Sequence, residues 1–338
     1  MVACSHVLSA SSPTFVKWQI ANVNIGYLGV LMFFIVSGIV ISASMERTKN
    51  VQLFWRQRFW RLFPAYLVSL GICALLFLWF PGDLNDSAYG HIKEHFWLSF
   101  AANLTMIQGF LGFDNFIPAY WTLAYEMLFY VMLSGVFLAG MGAKAYRLIW
   151  VLIGFLYFSA ILGILKHGHV GSYKAILVGY FWLGIWFQRF LTNQINAKQF
   201  WTTLVLFQLS VMAAWYVNIQ KFPGIESGGA IINQASPGSM AVSFLGSTLL
   251  FLSIFALRSR SFPKFLVQLG TVSYSLYLFH WIAIRLAGHL FDPTTSTVLF
   301  IVTSISFIAV ITGLGYRLIE LPSLNQAKMQ RAKVLLIE

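Results

Sequence analysis

Charge is what this 338-residue chain has least of: Asp, Glu, Lys and Arg make up 9% of it, and 59% is hydrophobic. A soluble globular chain carries roughly 25% charged residues. The deficit excludes a water-solvated globule, because too few polar groups remain to cover its surface, so lipid must be the solvent. Acidic residues are scarcer still, ten against 22 basic ones. The net charge of +12 is no nucleic-acid footprint, because the basic residues are scattered between apolar runs. The two cysteines, Cys4 and Cys73, lie in apolar stretches; they give no disulfide framework and read as small buried hydrophobes. The N-terminus lacks a basic region and its apolar stretch is short, so it does not read as a cleavable signal peptide. There is no G-x-S-x-G elbow, Walker loop, Rossmann fingerprint, internal repeat or soluble domain.

What is present is a series of apolar runs near the roughly 20 residues that cross a bilayer. They are too long and uniform for the alternating, roughly 10-residue strands of an outer-membrane barrel. The expected fold is all-α, a polytopic membrane helical bundle. Spans are expected at residues 25–45, 62–80, 119–139, 148–165, 175–190, 200–217, 240–257, 265–290 and 298–319, with Pro64 in the first turn of the second. The opening MVACSHVLSA is half a span and brings the count to about ten. Residues 96–113 are weakly apolar, broken by Asn103 and Gln108, and read as re-entrant or interfacial. A Gly/Ser/Pro-rich loop is expected at 223–239. The transmembrane domain is taken as 1–324 and a basic cytoplasmic tail as 325–338.

Orientation follows from the basic loops. With residues 47–61 on the cytoplasmic side and the later loops alternating, Lys17, Lys93, Lys166, Lys174, Lys221 and Arg285 fall on the far side, and the other 16 of the 22 basic residues are cytoplasmic. A crossing at 96–113 would destroy this asymmetry.

Few polar groups interrupt the apolar runs, and each carries two readings. Glu126, in PAYWTLAYEMLFY, is an ionisable group inside a span, which usually faces a protein interior or a watery cavity. It either orients a substrate or catalytic base, or pins helix packing. His6 is a general base by residue type, or a histidine near a frayed end. Arg56, Arg58 and Arg61, interleaved with Phe54, Trp55, Phe59 and Trp60, suit phosphates and a stacked base, or simply anchor a span. Ser273, Tyr277 and His280 share one helix face, as a pocket lining or as interhelical hydrogen bonds. His91 and His95 flank Glu94, but the order is wrong for a zinc helix and no third ligand is evident; His167 and His169 fare no better. No metal site is expected.

Four stretches, taken in order, resemble the membrane acyltransferase-3 family. They are GVLMFFIVSG from Gly29, RFWRLFPAY from Arg58, WTLAYEMLFY from Trp121, and SYSLYLFH from Ser273 with Ile319-Glu320-Leu321-Pro322. The resemblance implies acylation of sugars in O-antigens, exopolysaccharides or related glycans. Acetyl-CoA or another acyl-CoA would be a co-substrate, with no bound cofactor, and the acceptor a lipid-linked or exported glycan. The bilayer of the inner (plasma) membrane would house the chain. It further implies His6 as catalytic base, Glu126 as its partner or the acceptor's, and Arg58 and Arg61 on the donor, with Trp121, Tyr130, Tyr277 and His280 lining the pocket. Leu31 departs from the family, where an acidic residue is common. The family's arginine before the histidine has no counterpart, so the chain is expected to begin inside the family's first helix. The rival expectation is a transporter or channel with a Glu/His relay.

Overall fold

Without water in a hydrocarbon layer, backbone N–H and C=O groups must bond within the segment, and the apolar runs of this chain close into helices. A computed structural model describes residues 1–86, 89–168, 170–221 and 235–335. In chain order the α-helices are α1 (Val2–Ser11), α2 (Pro13–Ala21), α3 (Ile25–Thr48), α4 (Val51–Trp79), α5 (Gly90–Glu94), α6 (Phe96–Leu104), α7 (Trp121–Leu138), α8 (Leu148–Lys166), α9 (Tyr173–Leu191), α10 (Ala197–Trp215), α11 (Pro237–Ala256), α12 (Lys264–Thr271), α13 (Ser273–Leu290), α14 (Thr297–Gly315) and α15 (Leu321–Leu335). No strand occurs among the described residues. Side chains set the starts: Asn24, Asn50, Asn196 and Ser236 each accept from the backbone N–H three residues on, satisfying a donor that the helix leaves unpaired.

Seven segments among the described residues are long and apolar enough to cross a membrane on their own. Of the other expected crossings, α9 and α13 run 19 and 18 residues, about 27 Å or more at 1.5 Å per residue, and α1 has ten. The expected loop at 223–239 lies largely outside the described residues, as does His169.

Two boundaries differ from the sequence reading. Helix α4 begins at Val51, so Pro64 is interior rather than in a first turn; it leaves the Trp60 carbonyl without its usual donor. The arginine stretch is therefore helical, because Asn50 caps the chain well before the apolar run starts. The span expected at 265–290 breaks at Val272 into α12 and α13. Residues 96–113 hold the nine-residue α6, about 14 Å long, too short for a hydrocarbon core of about 30 Å. Asn103 ties that segment down: its amide donates to the Ser99 and Asp114 carbonyls, and its oxygen accepts from Phe116 N–H. His95 falls outside α5, and His91 pairs instead with Asp114.

The chain forms two compact units. The first comprises Met1–Val2, Pro13–Lys49 and Phe129–Arg260. Its centre is the crossing of α3 and α9. A Cβ on Gly38 would stand 2.9 Å from the Gly184 Cα, and one on Gly184 2.8 Å from the Gly38 Cα, so neither position tolerates a side chain. Phe34 and Phe129 both stack on Phe181, with centroids 4.3 and 4.4 Å apart. One turn and two turns beyond Gly38, Ser42 bonds Gln188 at 2.7 Å and Glu46 pairs with the buried Arg189.

The second unit comprises Ala3–Ser12, Asn50–Leu128 and Ser261–Glu338. Here α13 packs on α14 and α4, and α15, the expected basic tail, lies along α4 with Arg56 bonded to Gln330. Tyr274 donates to the Leu62 carbonyl at 2.8 Å, and Arg285 lies over the Phe77 ring. The two helices therefore run side by side in the same direction. From α1, Val7 enters an apolar cluster with Ile284, Ala287 and Phe300. Val298, Val302, Ile305 and Val310 stay exposed on α14, as a lipid-facing stripe requires.

Gly38→Ala should lower thermal stability in detergent by about 1–3 kcal/mol, the usual cost of overpacking. Gly135→Ala, where nothing lies within 4 Å of the added carbon, should leave it unchanged. Equal melting temperatures for the two variants would refute the tight crossing.

Candidate active site

Helix α13 carries Tyr277 and His280, and Glu320 determines where it starts. The carboxylate accepts from Ser275 N–H at 3.0 Å and from the Ser275 hydroxyl. It thereby caps the first turn from another element, at the end that favours negative charge. Arg61 is close enough to Glu320 to act on it electrostatically.

One turn further, the Tyr277 hydroxyl donates to the Ala119 carbonyl and sits against the Thr122 hydroxyl. Thr122 and Glu126 are four residues apart on α7, so they share a face. Both are buried, Glu126 at 5% exposure. The structure thus brings the Glu126 turn of α7 to the Tyr277 turn of α13.

The next turn holds His280, fully buried. Its Nδ1 faces two carbonyl oxygens, Tyr277 at 2.7 Å and Leu276 at 3.1 Å. Carbonyls only accept, so Nδ1 carries the hydrogen. Neutral His280 then presents a bare Nε2, and this lies 3.0 Å from His6 Nδ1. His6 must donate there, which leaves the lone pair of the His6 ring on Nε2. Trp281 meets the His6 ring edge-on, with centroids 5.5 Å apart. The half-buried His6 is therefore oriented by two neighbours on α13, with one nitrogen set up to take a proton.

Arg58, on α4, is 8% exposed. Its guanidinium sits over Phe54, and the residue borders a cavity of about 190 Å³, apolar in its exposed lining, with Trp55, Phe59, Leu62, Phe63 and Met127. Met127 follows Glu126, so this cavity abuts the α7 turn described above. Arg61 is exposed. Trp121 is half-buried and packs edge-on to Tyr125. Tyr130 is fully buried in the first unit. His6, His280 and Tyr277 thus form one linked cluster, while Arg58 lines its own cavity. Sequence reasoning missed two contributions. Glu320 was seen only as part of a motif, although a carboxylate at the end of an apolar run is the same signal that singled out Glu126. Trp281 was passed over, and its position next to His280 was the only available clue.

A family model described as an acyltransferase domain matches residues 1–316. The chain belongs to the acyltransferase-3 family. Among relatives, O-acetyltransferase OatA of Staphylococcus aureus strain NCTC 8325 is 25% identical over 329 residues, covering 88% of this chain and 52% of that protein. Peptidoglycan O-acetyltransferase OatA of Listeria monocytogenes is 28% identical over 118 residues, 32% of this chain and 19% of the relative. Nodulation protein 10 of Rhizobium leguminosarum bv. viciae is 28% identical over 116 residues, 31% of each chain. This acyltransferase-3 chain spans about half the length of the staphylococcal relative and about a fifth of the listerial one. No solved structure matches it.

Histidine-selective 15N spectra of the purified protein at mildly alkaline pH should show both His6 and His280 protonated on Nδ1. An Nε2-protonated His6 would overturn the tautomer assignment. His280→Phe strands the His6 N–H and should cost about 1–3 kcal/mol of stability, much of it recovered in His280→Gln, whose amide oxygen can accept.

Proposed function

We propose that this acyltransferase-3 chain is an integral membrane O-acyltransferase, most simply an O-acetyltransferase. It moves an acyl group from cytoplasmic acyl-CoA to a hydroxyl of an exported or cell-surface glycan, in the inner (plasma) membrane. The observation that carries the reading is the His6–His280 pair, which leaves a basic imidazole nitrogen on a half-buried residue. Family membership favours this reading over a solute pathway with a Glu/His relay.

In the proposed reaction His6 Nε2 takes the proton of the acceptor hydroxyl as its oxygen attacks the thioester carbonyl. The new C–O ester bond forms, the C–S bond breaks, and the thiolate leaves with the proton returned from the imidazolium as free CoA thiol. No acyl-enzyme is needed. Glu126 orients the acceptor or steadies the imidazolium, with Thr122 and Tyr277 linking its turn to that of His280. Arg58 and Arg61 hold the donor phosphates.

The spacing supports such a donor. Arg58 is four residues before Leu62, the level of Tyr274, and His280 is six residues beyond Tyr274. Along the helix axes that is roughly 15 Å, a gap that an extended pantetheine arm bridges. Trp55 and Phe59, beside Arg58 in its cavity, offer faces for the adenine. Losing the donor contact of Arg61 should raise the donor KM.

Transfer of label from acetyl-CoA to lipid-linked glycan in membrane vesicles tests this. His6→Ala should lose about 10²–10⁴-fold in rate, the usual share of a general base. Glu126→Gln should lose at least tenfold, and Arg58→Met should raise the donor KM. Undiminished turnover in both the His6 and Glu126 variants would sink the assignment.

A further inference from the structure

A second cavity, of about 360 Å³, lies in the same unit further along α13 and is lined by Ala10, Asp83, Trp281, Arg285, Gly288 and His289 among others. The volume is within the range of small-ligand sites, roughly 300–1,000 Å³. Asp83 draws its polar lining together. Its carboxylate pairs with the Arg285 Nε at 3.3 Å and with the His289 Nε2 at 3.2 Å. The His289 ring stacks on Phe80, with centroids 3.8 Å apart. These groups hold each other, so the wall presents fixed donors and acceptors with nearly balanced charge.

Two placements give this cavity a role. Trp281 lines it and also meets the His6 ring edge-on, so a single side chain stands between the cavity and the proposed base. It also sits at the opposite end of the paired helices from the Arg58 cavity. Tyr274 meets α4 at Leu62, whereas Arg285 meets it at Phe77 and Asp83 just beyond its end. The far end is the side that the arginine distribution assigns to the exterior.

We infer that this cavity is the acceptor subsite and that it receives one hexopyranose unit of a neutral, hydroxyl-rich glycan. The inference rests on the acyltransferase reading above and adds the acceptor's location to it. The sugar's apolar face lies on Trp281. Its ring hydroxyls bond to Asp83, Arg285 and His289, whose balanced charge disfavours a strongly anionic sugar. The hydroxyl to be acylated points toward His6 Nε2. Donor and acceptor then enter from opposite ends and meet at His6.

The test uses the full chain in proteoliposomes, with labelled acetyl-CoA and a β-1,4-linked N-acetylglucosamine tetramer as the probe acceptor. Gly288→Leu fills the cavity; only Phe300, at 3.9 Å, lies near the added Cβ. Asp83→Asn is isosteric and guards against misfolding of the first variant. Both should raise the acceptor KM at least tenfold and move the acetyl-CoA KM less than twofold. An unchanged acceptor KM, or equal changes in both constants, would overturn the subsite while leaving the acyltransferase reading intact. No transfer to the glycan by the unaltered protein would instead count against that reading, and against the subsite with it.

Discussion

The second unit depends on a carboxylate at the start of one helix. Without the bonds from Ser275 to Glu320, the first N–H groups of α13 would face a medium that cannot satisfy them. Val272 ends α12 and α13 begins immediately after it, so the cap fixes the axial position of every residue that follows. Tyr277, His280, Trp281, Arg285 and Gly288 all inherit their height from it. A shift of one residue would turn their stripe by about 100° and move it about 1.5 Å along the axis. The His280 Nε2 would then no longer meet the His6 Nδ1 on α1. The tautomer of His6 is therefore a distant consequence of where Glu320 sits.

The polar groups of this unit form short chains rather than isolated points, as a low-dielectric interior demands. Ala119 and Thr122 hold the Tyr277 hydroxyl, and Tyr277 and Leu276 hold His280, which holds His6. Elsewhere in the unit Ser69 bonds Tyr120, and Tyr66 donates to the Asn103 carbonyl. The first unit solves the same problem differently, by bringing Gly38 and Gly184 into backbone contact and placing its Ser42–Gln188 and Glu46–Arg189 pairs along the same crossing.

Much of this was legible in the sequence because it rests on local rules. Apolar length predicts helices, and the bilayer argument excludes strands. Intramembrane charge picks out Glu126 and His6, and the four motif stretches give the family, which the match over residues 1–316 bears out. The GVLMFFIVSG stretch gains a cause: its last glycine is Gly38, where a side chain would collide with α9. What stayed hidden was tertiary. No spacing rule pairs His6 with His280 across 274 positions, and none tells that Glu320 would cap α13 rather than end α14. Pro64 misled for a different reason. A proline near the start of an apolar run suggests a helix beginning there, but the cap at Asn50 lies in polar sequence, where hydropathy gives no signal.

One helix face connects these parts. Tyr277, Trp281, Arg285 and Gly288 follow one another at intervals of four, four and three residues, the spacing of a single stripe on an α-helix. From first to last the stripe rises about 16 Å. At its lower end it touches α7 beside Glu126, in the middle it orients His6, and at its upper end it borders a cavity with polar walls. The proposed acyl transfer across a membrane calls for such a layout, because a charged, phosphate-bearing donor and a hydrophilic acceptor can each enter the low-dielectric layer only a little way. The reacting atoms must meet where neither substrate is fully desolvated. With His6 as the proposed base, its Nδ1 bonded to His280 and its ring met by Trp281 on the stripe, the proposed layout meets that requirement without a moving part.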